Sequence, residues 1–183
     1  MSHFEDLKPQ LEDLVIKAQK GDKGAYGEFL SLLYPLIRSI LKRRLAGLVD
    51  YEDLTQECLL GIHRNLASYH PSKPLKPWIS AIIRYKTADH FRAMAKKISV
   101  TEMLPETNKV DEPSKGEVWE WLRQLPEPLR RAVELTQVEG LPYKEAAQRE
   151  GVSEVALRKR ISRAYVELRR IAAKEMEITL GPK

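Results

Sequence analysis

The sequence predicts an all-α protein made of two small helical domains joined by a flexible linker. Three observations carry that prediction. Apolar residues recur at helical spacing along nearly every long segment, and no segment sustains strand alternation. The periodicity lapses over residues 98–116, where prolines, threonines and an asparagine replace it. A chain of 183 residues has room for one ordinary domain or two small ones, and each half alone is near the size where a core is marginal.

The elements follow in order. From Leu11 to Lys20 the residues Leu11, Leu14, Val15 and Ala18 fall at helix spacing, and Gly21-Asp22 punctuates. Ala25 to Leu45 is a second, strongly apolar helix. Tyr51 to Leu66 is a third, with Asp50 suited to its N-cap and Asp53 a weak capping-box partner. A proline-studded loop, Tyr69 to Pro77, leads to a helix from Trp78 to about Lys97, with Pro77 suited to its first turn. Residues 1–97 form the first predicted domain and residues 98–116 the linker. From Thr101 to Glu120 six acidic residues stand against two lysines, a composition that argues against an independent core. The second domain, residues 117–183, is expected to hold short helices over Val118–Leu125 and Pro126–Val138, then a break at Gly140-Leu141-Pro142. Tyr143 to Glu150 follows as a compact helix, then the turn Gly151-Val152-Ser153 and a long helix to about Lys174.

Composition narrows the function classes. The formal net charge of +5 hints at a polyanion partner, and the distribution of charge says more than the sum. The single cysteine, Cys58, excludes an intramolecular disulfide and fits a reducing compartment. Its neighbours Leu54, Leu59 and Leu60 suit buried filler rather than a reactive thiol. No signal segment is present and no apolar run approaches the roughly 18 residues a membrane span needs, so a soluble, cytoplasmic protein without membrane insertion is expected. The histidines His3, His63, His70 and His90 lack metal-ligand spacing with one another or with Cys58. No phosphate-binding glycine loop or nucleophile motif occurs, so no catalysis, metal or cofactor is expected.

The segment from Tyr143 to Ser153, followed by a basic helix, is a helix-turn-helix signature. Ala146 and Ala147 allow a close crossing, Gly151 can end the first helix in the left-handed conformation, Val152 can plug the core, and Ser153 can cap the second helix. On that second helix Leu157, Ile161, Ala164, Leu168 and Ile171 make one buried stripe. The opposite face carries Val155, Ala156, Lys159, Ser162, Arg163 and Arg170, with Arg158 and Arg169 toward one edge and Arg160 nearer the core boundary. Six basic and two acidic residues lie between Ser153 and Arg170. A DNA-recognition helix needs this division; alone, the charge run would suit a solvated face as well.

Two other helices carry opposite charge. Between Leu48 and Leu60 lie four acids, Asp50, Glu52, Asp53 and Glu57, and no basic residue. Acids in a first helical turn explain Asp50 to Asp53, whereas Gln56 and Glu57 suit a protein partner. From Ile79 to Lys97 there are five basic residues and one acid. Arg84, Ala88, Arg92 and Lys96 share a face, and Trp78 and Tyr85 lie beside it. Aromatics among cations suit single-stranded DNA, with rings stacking on bases and cations following phosphates; Trp78 suits a buried core position equally well.

Gly21-Asp22, the apolar helix with Tyr26 and Tyr34, Asp50-Tyr-Glu-Asp-Leu-Thr-Gln-Glu57, Trp78 and Asp89-His-Phe-Arg92 together resemble region 2 of sigma-70 family transcription factors. Leu122-Arg-Gln-Leu-Pro126 through the helix-turn-helix to Leu168-Arg169-Arg170 resembles region 4. Only a linker separates them, the arrangement of the extracytoplasmic-function type.

The resemblance implies a promoter-specific initiation factor acting with core RNA polymerase and promoter DNA, docking on the beta-prime clamp helices and beta flap, and restrained by an anti-sigma factor. Core contact would fall to Asp50, Glu52, Asp53, Leu54, Gln56 and Glu57. Tyr69, His70, Lys73, Lys76, Trp78, Arg84, Tyr85, Asp89, Arg92 and Lys96 would melt and read the −10 element. Ser153, Val155, Ala156, Arg158, Lys159, Arg160, Ser162 and Arg163 would read the −35 element. Many relatives carry Asn near Tyr85, and Gly-Thr where Val155-Ala156 stand, so base preference is expected to differ. Two competing readings remain: a helix-turn-helix regulator that works without polymerase, and a helical protein that only sequesters a polymerase or sigma subunit.

Overall fold

A computed structural model describes residues 3–45, 48–100 and 117–178. Every regular element among them is helical. The helix α1 (His3–Gln19) buries Leu11, Leu14 and Val15, the stripe its periodicity predicts. In α2 (Lys23–Leu45) the buried side chains Ala25, Phe29, Leu33, Ile37, Leu41 and Leu45 recur every four residues. The punctuation at Asp22 proves to be a cap: its Oδ1 accepts the N–H of Ala25 at 2.9 Å. Pro35 lies inside α2 on its exposed side, where it gives up one ladder bond without ending the helix.

The helix α3 (Tyr51–Asn65) starts where Asp50 Oδ1 accepts the N–H groups of Glu52 and Asp53, at 3.0 and 3.1 Å. Gly61 lies where α3 crosses the next helix; a Cβ there would meet Ile82 Cγ2 at 2.9 Å. That helix, α4 (Leu75–Val100), begins three residues before the predicted start. Leu75 is buried and anchors the first turn, and Pro77 fits there because first-turn N–H groups need no helical partner. At its other end α4 outruns the prediction because Ile98 is buried and extends the face of Phe91 and Ala95. Residues 98–100 therefore belong to α4, and the rest of the expected linker, 101–116, lies outside the described residues.

In the second half α5 (Glu117–Arg123) buries Trp121 and Leu122. The helix predicted over Pro126–Val138 divides into α6 (Glu127–Val133) and a π-helical segment, Glu134–Val138. The widened turn closes with Glu139 N–H donating to Glu134 O at 2.8 Å and brings both Leu135 and Thr136 into the core. The helix-turn-helix is formed by α7 (Tyr143–Arg149) and α8 (Glu154–Ile178). Ala146 and Ala147 are buried at the crossing, Gly151 has φ +64°, and Ser153 Oγ accepts the Ala156 N–H at 3.2 Å. A side chain at Gly151 would be strained in that left-handed conformation.

The helices α1 to α4 pack as neighbours, and α8 packs on α5, α6 and α7. The two halves also pack on each other: α4 rests more extensively on α8 than on any other element, and α5 lies against α2. The buried arc of α8 is accordingly wider than the predicted stripe, since Tyr165 and Ala172 join Leu157, Ile161, Ala164, Leu168 and Ile171. Tyr165 is fully buried, its ring centroid 5.9 Å from that of Phe91 in α4. Its hydroxyl donates to the carbonyl of Leu48, between α2 and α3, at 3.1 Å. Burial holds the Tyr165 phenol protonated, far above the ordinary range. One apolar core runs through both halves.

His90 is half-buried on α4 and senses Asp50, Asp53 and Glu57 of the α3 segment. Burial lowers its pKa, and the three carboxylates oppose that shift only in part. The unfolded chain therefore binds this proton more readily, so stability is full above the ordinary imidazole value and falls as pH drops below about 6.5. Glu52 and Glu57, held low by Arg38 and Lys86, act only from the usual carboxylate range downward. A series of urea melts across roughly pH 5.5–7.5 is expected to lose stability toward acid, and His90→Gln to flatten that slope.

Candidate nucleic-acid interface

The outer face of α8 is an open stripe. Val155, Lys159, Arg163, Val166 and Arg170 are all exposed and follow one another at helical steps of four, four, three and four. Val155 and Val166, 62% and 48% exposed, interleave apolar surface with the cations. Val166 is absent from the faces read off the sequence, though its spacing of eleven residues from Val155 places it on the outer face.

Of the other residues expected to read duplex, Ser153 serves as the helix cap and Ala156 is half-buried. Arg158 pairs with Glu154 one turn earlier, and Arg160 with Glu150 at 3.5 Å. Both cations are thus partly engaged in holding the helix-turn-helix. Ser162 is half-buried and donates its hydroxyl to Ala95 O of α4 at 3.0 Å. In this conformation it serves the contact between halves, whereas the helical wheel alone put it with the DNA-facing residues.

The outer face of α4 is likewise open. Ala81, Tyr85, Arg92 and Lys96 are exposed along it, Arg84 is half-buried at its edge, and Arg92 pairs with Asp89 at 2.9 Å. Tyr85 is 64% exposed, the most open large apolar side chain among the described residues. Trp78 resolves toward packing: it is half-buried, its Nε1–H donates to Ser68 Oγ at 3.2 Å, and its ring tilts on Tyr69 at 5.4 Å.

Tyr69 is a correction. Expected at the DNA, it is only 4% exposed, and its hydroxyl donates to Lys73 O at 3.1 Å. Gln19 Nε2 donates to the Leu66 and Tyr69 carbonyls at 2.9 and 2.8 Å, so Tyr69 braces the loop from inside. His70 and Lys73 stay exposed on that loop, with His70 Nδ1 2.8 Å from Ser72 Oγ. Lys76 is half-buried with its ammonium 5.9 Å from the Phe4 ring centre.

The acidic helix is thinned by its own fold. Glu52 accepts from Arg38 Nε at 2.6 Å and from the Tyr34 hydroxyl at 3.0 Å, and Glu57 pairs with Lys86 at 3.0 Å. Those contacts hold both carboxyls below the usual range. Leu54, expected to meet a partner, is 1% exposed and belongs to the core, a second correction. Asp50 is occupied as the cap. The open remainder is Asp53, Gln56 and Leu60, one face at spacings of three and four, with Leu60 48% exposed. Cys58 is buried and its thiol is pushed up to about 12, as filler requires. Among the described residues no three His, Cys, Asp or Glu side chains gather as metal ligands, and no helix is long and apolar enough to cross a membrane.

Glu150 holds α8 in place. Set in the turn between α7 and α8 with only 15% of its side chain exposed, it lies 3.5 Å from both Arg131 of α6 and Arg160 of α8. Such a half-buried carboxylate joins three helices and loses more on neutralisation than an exposed pair. Glu150→Gln is expected to weaken duplex binding about tenfold, or ~1.4 kcal/mol, in a titration by fluorescence anisotropy. Glu139→Gln, which breaks an exposed pair with Arg149, should leave the affinity unchanged.

Comparison with known proteins bears on this geometry. Residues 29–97 match the family model for sigma-70 region 2, and residues 115–168 the model for sigma-70 region 4. The first covers α2 to α4 and the second the helix-turn-helix. The chain is 33% identical over 172 residues to the ECF RNA polymerase sigma factor SigF of Caulobacter vibrioides, covering 89% of this chain and 94% of that protein. It is 27% identical to the ECF RNA polymerase sigma factor BldN of Streptomyces coelicolor, covering 88% of this chain and 66% of that one. Among solved structures, CnrH in complex with the cytosolic domain of CnrY is similar with a TM-score of 0.41 and 22% identity, over 87% of this chain and 95% of that one. With both regions present in order and a relative of this likeness along nearly its whole length, the chain belongs to the extracytoplasmic-function RNA polymerase sigma factors of the sigma-70 family and serves promoter-specific transcription initiation.

Proposed function

We propose that α4 and the loop before it open and read the −10 element, that α8 reads the −35 element as duplex, and that Asp53, Gln56 and Leu60 contact the beta-prime clamp helices of core polymerase. The observation that carries this reading is the division of each DNA helix into a buried face and an open cationic stripe: Tyr85, Arg92 and Lys96 on α4, and Val155, Lys159, Arg163 and Arg170 on α8. The stripes differ as their targets differ. The α4 stripe pairs an exposed ring with cations, which suits unstacked bases. The α8 stripe is narrow and interleaved with valines, which suits phosphates, base edges and a thymine methyl in the major groove.

The chain itself supplies recognition, and the polymerase supplies the chemistry. It acts in the cytoplasm and is restrained there by an anti-sigma factor, as members of its family are. A regulator independent of polymerase would have no use for the open face of Asp53, Gln56 and Leu60 beside a strand-opening helix.

Runoff transcription with purified core polymerase tests the assignment; a chain that yields no transcript from any genomic promoter would overturn it. Tyr85→Ala is expected to lower open-complex formation by the ~1–3 kcal/mol of one base stack, read as permanganate reactivity at −10, with Tyr85→Phe retaining it. Arg163→Ala should lose about 1–3 kcal/mol at the −35 element, and Lys159→Ala should reduce the salt slope by about one. Asp53→Ala with Gln56→Ala should weaken core binding first, measured by co-migration with core, and leave the α8 variants' phenotype unaffected.

A further inference from the structure

We propose that Gln19, the last residue of α1, is a positioning residue for the −10 element: its side-chain amide fixes the loop from Tyr69 to Pro74 in the shape that selects an unstacked base. The inference rests on the reading above, in which that loop and α4 read the −10 element. The helix α1 precedes residues 29–97, the stretch that matches region 2, so the tie reaches the loop from outside the matched fold.

The contact is a two-pronged tie at the root of the loop. Gln19 Nε2 donates to Leu66 O at 2.9 Å and to Tyr69 O at 2.8 Å. Both partners are carbonyls, which only accept, so the amide nitrogen must face them and both of its hydrogens are used. One carbonyl belongs to the 3₁₀ turn Leu66–Ser68 and the other opens the loop. The helix α1 lies against both that turn and α4, and the rest of it follows the loop in reverse order. Burial, helped by the charge of Glu12, raises the Tyr69 pKa, so the hydroxyl stays a donor to Lys73 O at 3.1 Å. Toward the start of α1, the ring centre of Phe4 stands 5.9 Å from the Lys76 ammonium.

This backing leaves the other side of the loop free. His70, Pro71, Ser72, Lys73 and Pro74 are all exposed. Within the loop, Lys73 N–H donates to His70 O at 2.9 Å, and Trp78 Nε1–H holds Ser68 Oγ at 3.2 Å. A site carried on a loop is only as exact as the contacts that support it, and here the root is held by one side chain of another helix. Gln19 and Leu66 are half-buried, so water can replace the lost bonds when the amide is removed. The fold then loses little, while the loop loses its register. A base drawn out of the stack is chosen by pocket shape and by hydrogen bonds to its edge. The loss therefore falls on discrimination between bases rather than on core binding or on the −35 element.

The test uses holoenzyme assembled from the full chain and core polymerase, with two promoter libraries, one randomised across the −10 element and one across the −35 element. Sequencing the bound and unbound fractions gives the base preference at each position. A mismatched base in the wild type should cost about ten- to a hundredfold. In Gln19→Glu, isosteric but without a donor, that ratio is expected to fall to about threefold at one or more −10 positions, with the −35 profile and core binding unchanged. Gln19→Lys, which restores N–H donors, should recover most of the −10 profile. Gln10→Ala, on the exposed face of α1, should leave it as in the wild type. Gln19→Met, neutral and of like length, should repeat the loss and keeps the test decisive if Gln19→Glu misfolds, which circular dichroism reads. A wild-type −10 profile in folded Gln19→Glu or Gln19→Met would overturn the proposal. So would a Gln19→Lys profile as flat as that of Gln19→Glu, or a flattening shared equally by the −35 element. Failure of the underlying reading shows differently: His70→Ala with Lys73→Ala, on the open side of the loop, would then leave the −10 profile intact.

Discussion

A helix that offers cations to a polyanion has to be held by its other faces, because its outer stripe repels itself and only packing can oppose that. Here α8 is held on two flanks. One flank is the helix-turn-helix core, where Leu157, Ile161 and Leu168 are fully buried. The other meets α4 through Tyr165, also fully buried. With both flanks occupied, the remaining arc is a narrow stripe from Val155 to Arg170. The helix α4 is divided in the same way, with Phe91, Ala95 and Ile98 buried and Tyr85, Arg92 and Lys96 open.

Charge follows the same logic. Most acids near these helices are used to orient a cation rather than presented to a partner. Glu154 and Glu150 engage Arg158 and Arg160 at the edges of α8, Asp89 engages Arg92 on α4, and Glu57 reaches across to Lys86. The exposed pairs among them add little stability. What they change is which charges remain for binding, and the separation between acidic and basic surface is sharper in the fold than in the sequence. On α3, Glu52 and Glu57 are paired within the chain and Asp50 is the cap, so the open face contracts to Asp53 and Gln56 and gains Leu60.

Periodicity made the fold legible to within a few residues for most helices, since the face a helix buries repeats along its sequence. Asp50, Ser153 and Gly151 were equally readable, because a cap or a left-handed turn is a local event. What periodicity could not separate was one buried environment from another. Tyr165 lay next to the predicted stripe of α8, and nothing local distinguished a side chain facing its own domain from one facing the other half. Leu54 and Tyr69 failed for a related reason: both stand in segments rich in binding residues, yet each points inward, and the direction is set by α1, α2 and Gln19, far away in sequence. The pairings of Glu52 with Arg38 and Glu57 with Lys86 likewise required the helices to be brought together.

The chain between Val100 and Glu117 sets how far the two helical units can separate. Seventeen residue steps at about 3.3–3.6 Å each reach at most about 60 Å. The same connection keeps the two units at an effective concentration of about millimolar, so a contact as extensive as that of α4 with α8 needs little intrinsic affinity to form within one chain. Packing between the halves and the length of the connection are therefore one constraint: a longer connection would weaken the contact without touching a residue of it.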